Sequence, residues 1–115
     1  MNGPRIFTRE DDGKEFTLSC GEGFRVELSE SPTTGYVWSV SETLSPQVTL
    51  LDRRFEPSGE DAQRMGGGGI RIFTFEAYAA GIVTMELCLR RPWEKEGTCI
   101  ETFSLSLIIE RGTSP

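Results

Sequence analysis

The sequence predicts an all-β domain, an immunoglobulin-like β-sandwich of about seven strands. Three observations carry that expectation. Apolar residues recur at every second position in run after run, Gly- and Pro-bearing turn signals separate the runs, and no stretch shows the 3.6-residue apolar period of a helix. A small barrel is the alternative architecture for the same pattern.

Taken in order, Ile6–Thr8 is a short piece ahead of the first full strand, Glu15–Cys20, which the Gly21-Glu22-Gly23 turn ends. In the next strand, Phe24–Ser29, Phe24, Val26 and Leu28 alternate with Arg25, Glu27 and Ser29, as a half-buried strand requires. Val37–Val40 follows and places Trp38 in the core. Val48–Phe55 is next, reached through the stretch Ser41–Gln47. In Ile70–Ala77 the apolar set is Phe73, Phe75 and Ala77. The Ala79-Ala80-Gly81 turn leads to Ile82–Arg90, with Val83, Met85, Leu87 and Leu89 on one face. The last strand, Cys99–Glu110, sets Phe103, Leu105, Leu107 and Ile109 against Ser104, Ser106 and Ile108.

A chain of 115 residues, 37% hydrophobic, is the size of one domain with a real core. The expectation is a single domain over residues 1–115, with residues 1–14 as a loosely ordered N-terminal segment. No apolar run approaches the roughly 18 residues of a transmembrane helix, so no membrane association is expected. Met1–Phe7 lacks the apolar stretch of a secretory leader. The expected compartment is the cytoplasm if the chain starts here, and the periplasm or exterior if a leader was removed. A net charge of −6 without a basic run argues against nucleic-acid partners, because phosphate contacts need clustered Lys and Arg. Histidine is absent, which excludes Ser-His, Cys-His and His-metal chemistry, and the carboxylates are scattered. The chain is therefore not expected to be an enzyme, and no cofactor or metal is implied.

Cys20, Cys88 and Cys99 are the three cysteines, an odd number that rules out complete pairing. Cys88 shares the solvent-facing parity of Glu86 and Arg90, while Cys99 shares the core-facing parity of Phe103 and Leu105. Opposite faces favour free thiols over a Cys88–Cys99 bridge, and only a bulge would reconcile the two.

Three connections stand out. Ser31-Pro32-Thr33-Thr34-Gly35-Tyr36 combines a proline that fixes φ, a glycine that permits positive φ and two stiff threonines, giving a rigid turn with polar tips. On local chemistry alone an ordinary interstrand turn fits as well. Met65 and the run Gly66-Gly67-Gly68-Gly69 read either as a flexible linker or as bare backbone able to lie against a partner. No Walker Lys-Ser/Thr follows the glycines, so this is not a phosphate loop. Arg91-Pro92-Trp93 brings together an arginine and a tryptophan, the residue types enriched at binding hot spots, although a loop Trp also packs on its own domain. The three loops occupy alternate connections. With neighbouring strands running in opposite directions, they emerge at one end of the fold.

In this order and spacing, the motifs resemble those of chagasin-type inhibitors of papain-like cysteine peptidases. That family's pattern is Asn-Pro-Thr-Thr-Gly-Tyr/Phe, then Gly-x-Gly-Gly, then Arg-Pro-Trp/Phe. The resemblance also takes in Tyr36-Val37-Trp38 and the Ala79-Ala80-Gly81 turn, and runs from roughly Leu18 to Ile109. It implies an immunoglobulin-like fold and reversible, competitive, non-covalent inhibition of a papain-like, cathepsin L-like peptidase by a monomer. By the same resemblance, Ser31–Tyr36 enters the active-site cleft, with Thr33 and Thr34 nearest the catalytic cysteine. Met65 and Gly66–Gly69 lie along one side. Arg91, Pro92 and Trp93 lie along the other, Trp93 against an aromatic surface. Ser31 departs from the family's Asn, which implies a weaker hold on the turn. The competing expectation is an immunoglobulin-like module that presents these loops to a ligand other than a peptidase.

Overall fold

The structure is a computed structural model that describes residues 5–40, 45–57, 68–94 and 99–111. Eight strands run in chain order: β1 (Arg5–Thr8), β2 (Lys14–Ser19), β3 (Gly23–Glu30), β4 (Val37–Val40), β5 (Val48–Pro57), β6 (Gly69–Ala77), β7 (Gly81–Arg90) and β8 (Glu101–Glu110). They form two four-stranded sheets, β1-β3-β6-β5 and β2-β8-β7-β4. Two separate sheets make this a sandwich rather than a barrel.

Alternation builds the interior. Phe24, Val26 and Leu28 of β3 face Phe73 and Phe75 of β6 within one sheet. Val83, Met85 and Leu87 of β7 and Phe103, Leu105 and Leu107 of β8 close over them from the other. Phe24 and Phe75 stack with ring centres 5.2 Å apart, and Trp38 is buried on β4 as its position predicts. β5 is mostly exposed, and its register slips between Leu50 and Asp52. That bulge leaves Leu51 facing solvent on the edge strand.

Residues 5–14, expected as a loosely ordered segment, contribute regular structure instead. β1 pairs parallel with β3 and buries Phe7, which contacts Phe16 and Phe24. A 3-10 turn, Arg9–Asp11, then carries the chain to the other sheet, where β2 pairs parallel with β8. Asp11 accepts the Thr8 N–H at 2.9 Å and Asp12 accepts that of Ser104 at 2.8 Å, so these acidic residues fasten the crossover. One buried phenylalanine in a short strand is too small a periodic signal to separate from a tail.

The cysteines overturn the expectation of free thiols at two positions. Cys88 and Cys99 form a disulfide, with Cα atoms 5.3 Å apart. Cys88 does point outward, but the parity assigned to Cys99 fails because β8 begins only at Glu101. Cys99 lies on irregular backbone before the strand and turns back to the outer face. Cys20 is free and donates weakly to the Tyr78 carbonyl.

Candidate functional site

The register gathers the ends of β3, β5 and β7. Glu30 and Pro57 both lie opposite Gly69, and Arg90 lies opposite Val37. The connections that follow these strands therefore leave from one end of the sandwich, as the alternation of strand direction predicts. Met65, Gly66 and Gly67 of the second loop lie outside the described residues, as do residues 95–98 of the third.

The first loop holds itself. Pro32–Thr34 forms a 3-10 turn in which the Thr34 N–H reaches the Ser31 carbonyl at 3.1 Å. The Thr34 hydroxyl donates to the same carbonyl at 2.8 Å and accepts the Tyr36 N–H at 3.2 Å. Thr34, a residue the family pattern shares, thus closes the turn with its own hydroxyl next to Ser31. Ser31, Thr33 and Thr34 are all exposed.

The third loop leans on the first. The Arg91 guanidinium donates from Nε to the Thr34 carbonyl at 3.3 Å and stacks 4.4 Å from the centre of the Tyr36 ring. Its other neighbours are Trp93, with the ring centre 6.0 Å away, and Glu94, at 3.8 Å. Trp93 is 66% exposed, so its ring is offered outward. The inner edge of that ring lies over Gly35, whose φ is +81°. A Cβ there would fall inside contact distance of Trp93 Cη2 and 3.2 Å from Cζ2. Gly35 thus serves twice, supplying a left-handed turn and a floor for the indole.

Gly35→Ala strains the turn by about 1–2 kcal/mol and lifts the indole from its seat. The expected result is a melting temperature lower by roughly 4–8 °C, since each kcal/mol moves a domain of this size by about 4 °C. A thermal melt measures the loss, and tryptophan fluorescence reports whether the indole has left its seat.

Of the second loop's glycines, Gly68 lies beside the first loop: a Cβ on it would stand 3.8 Å from both the Glu30 carbonyl and the Ser31 hydroxyl. Gly69, expected as part of a partner-facing run, is buried in β6, where a Cβ would meet the Glu56 carbonyl at 2.5 Å. Its missing side chain is required by packing inside this chain.

Residue-by-residue reading misses a polar cluster under the loops. Glu30, the last residue of β3, has a side chain only 1% exposed. Arg71 of β6 donates to it from Nη2 at 2.7 Å and from Nε at 3.1 and 3.2 Å, and the backbone N–H of Trp38 donates at 2.8 Å. The Trp38 indole N–H reaches the Ser29 carbonyl at 3.0 Å. Alternation carries the signal: Glu30 continues the inward series Phe24, Val26, Leu28, and Arg71 precedes Phe73 and Phe75 on the inward face of its own strand. Two charges at core-facing ends of paired strands predict an internal ion pair.

Among the described residues, this end of the molecule carries hydroxyls, bare backbone, the Arg91 guanidinium and an exposed indole. Among the described residues there is no group of three or more His, Cys, Asp and Glu placed to hold a metal. The surface is equipped for recognition. Its sequence matches the family described as Chagasin family peptidase inhibitor I42 over residues 17–107. The chain belongs to that family. Its members inhibit peptidases and are not enzymes, and papain-like cysteine peptidases are the enzymes they inhibit. The chain is 27% identical over 104 residues to chagasin of Trypanosoma cruzi, covering 87% of this chain and 93% of chagasin. Its fold is that of the cysteine protease inhibitor EhICP2 of Entamoeba histolytica, with a TM-score of 0.81, 22% identity, and 92% and 95% of the two chains covered. It is also similar to PbICP-C, solved in complex with falcipain-2, with a TM-score of 0.51, 16% identity, and 97% and 93% covered.

Proposed function

We propose that the chain inhibits its peptidase as a monomer, through the three loops together, reversibly, competitively and without a covalent bond. The observation that carries this reading is the brace from Arg91 to Thr34 and Tyr36, which makes the first and third loops one preformed surface. Preformed loops lose little freedom on binding, which favours tight association. Ser31 to Tyr36 enters the active-site cleft, with the exposed hydroxyl of Thr33 foremost. Thr34 is engaged within its own turn and contributes shape. Gly66–Gly68 run along one wall, and Trp93 rests on the other. Arg91 acts as the strut between loops, with its remaining N–H groups available to the enzyme. An interface of about 800 Å² per partner is within the span of such a surface.

The first loop, Ser31–Tyr36, offers the enzyme's thiolate no electrophile besides ordinary peptide carbonyls, and the proposal is that the braced turn holds these away from attack, so the cysteine is blocked rather than modified. The falcipain-2 complex of PbICP-C offers a precedent for this fold against a cysteine peptidase. The proposed target within the papain-like class is a cathepsin L-like enzyme. Titration of papain and cathepsin L is expected to reach equivalence at one inhibitor per active site, with full recovery of activity on dilution. Thr33→Ala is expected to weaken inhibition about fivefold, the effect of roughly 1 kcal/mol at a central contact. Absence of inhibition at micromolar concentrations, or recovery of inhibitor cleaved within the first loop as the main product, would sink the proposal.

A further inference from the structure

We propose that the buried Glu30–Arg71 ion pair is a positioning device for inhibition, holding the neck of the first loop closed and tying it to the root of the second. The inference deepens the three-loop reading and rests on it for its consequence for binding.

The first loop joins β3 to β4, strands that lie in different sheets, so no backbone ladder closes its neck. Two side-chain bonds take the ladder's place. The Glu30 carboxylate, immediately before the loop, receives the backbone N–H of Trp38 just beyond it. In the opposite sense, the Trp38 indole N–H reaches the Ser29 carbonyl. Together they span residues 29 to 38 and leave the loop only the conformations that both bonds allow.

Arg71 fixes the carboxylate in turn. Its planar fork grips both Glu30 oxygens, which sets the carboxylate's rotation as well as its place. Arg71 stands on β6 two residues after Gly69, where the second loop returns to the sheet. Its guanidinium lies 5.4 Å from the centre of the Phe55 ring on β5, the strand that leads into that loop. One guanidinium therefore touches both strands of the second loop and, through Glu30, both ends of the first. Arg91 joins the third loop to the first from outside, and Glu30 and Arg71 join the second to the first from within.

Stability alone does not account for the pair. A buried ion pair seldom outperforms apolar residues of the same volume, because desolvation of the two charges offsets their attraction. Leu and Met at these positions would continue the inward apolar series of β3 and β6. The directional bonds are what the charges add and an apolar pair lacks.

The test compares wild-type protein with Glu30→Leu/Arg71→Met, which leaves no unpaired charge. A second variant, Arg71→Lys, keeps the charge beside Glu30, loses the fork and protects the test should the double variant fail to fold. Amide hydrogen exchange is read at Thr34, Tyr36 and Trp38 and, as an internal reference, at Val83 and Leu105. The positioning role predicts exchange about tenfold faster or more at the loop amides with the reference amides unchanged, since the neck opens locally. It also predicts a papain inhibition constant that rises as the closed fraction falls, about tenfold where the neck is closed in only about one molecule in ten, because only closed molecules bind. Arg71→Lys moves both readings the same way by less. Loop exchange and inhibition both at wild-type levels in a folded variant would overturn the proposal, as would equal acceleration at every amide, the mark of a role in global stability alone. Wild-type protein that left papain uninhibited would count against the inhibitory reading, while the exchange comparison would still decide the positioning role.

Discussion

Trp93→Ala is expected to raise the inhibition constant toward papain by about 30-fold or more, the equivalent of at least 2 kcal/mol at a hot-spot tryptophan. The side chain is 66% exposed, so most of its apolar surface meets water in the free protein. Moving such a ring into an apolar pocket is worth about 2 kcal/mol. The same exposure means that the sandwich hardly depends on it. Within the chain, truncation uncovers Gly35, and substitutions at surface positions of this kind change stability by about 0.5 kcal/mol or less. The variant is therefore expected to melt within a few degrees of wild type while binding far more weakly. An unchanged inhibition constant would remove the third loop from the interface and leave the first loop as the binding element. Association and dissociation rates sharpen the result: removal of a buried anchor acts mainly through faster dissociation.

How much of this is legible in the sequence depends on the kind of information each residue carries. Alternation is a local signal, and in β3, β6, β7 and β8 it assigns the inward residues, because each strand is long enough to repeat its period several times. The common address of the loops follows from strand direction and reappears in the register of Glu30, Pro57 and Arg90. Apart from the N-terminal segment, whose one buried phenylalanine is too short a signal, the expectations that fail are those where a strand end has to be placed to within two residues. Cys99 is assigned the wrong face because β8 starts at Glu101, and Gly69 reads as loop although it is the first residue of β6. Contacts between loops are beyond reach for a different reason. That Arg91 turns inward to Thr34, and that Trp93 rests over Gly35, depends on tertiary geometry that no spacing encodes. The Glu30–Arg71 pair lies between these cases. Its parity is readable, but a charged residue at the end of an apolar series is more often a strand terminus in water than a buried partner.

The bridge between Cys88 and Cys99 carries the other large expected effect. It closes a loop with a sequence separation of 11, and that loop contains Arg91 and Trp93. Restricting the unfolded chain over so short a span is worth about 3 kcal/mol in the chain-entropy account. Cys88→Ala/Cys99→Ala is therefore expected to lower the melting temperature of the oxidised protein by roughly 10 °C for a domain of this size. Inhibition should weaken as well, by a smaller factor. With the neck unlinked, the third loop depends on the Arg91 contacts and on the hydrogen bond from Ile100 N–H to the Leu89 carbonyl, 2.9 Å long, to keep Trp93 over Gly35. Ordering one loop side chain on binding costs about 0.5–1.5 kcal/mol, so a rise of about three- to tenfold in the inhibition constant is expected. The comparison is made with and without a phosphine reductant, because cysteine peptidases are assayed under reducing conditions that also act on the inhibitor. Reduced wild type is expected to melt and inhibit like the double variant, and the variant itself should be indifferent to reductant. A melting temperature equal in all four samples would show that the bridge does not form in solution, and would return both cysteines to the free thiols that strand parity suggests.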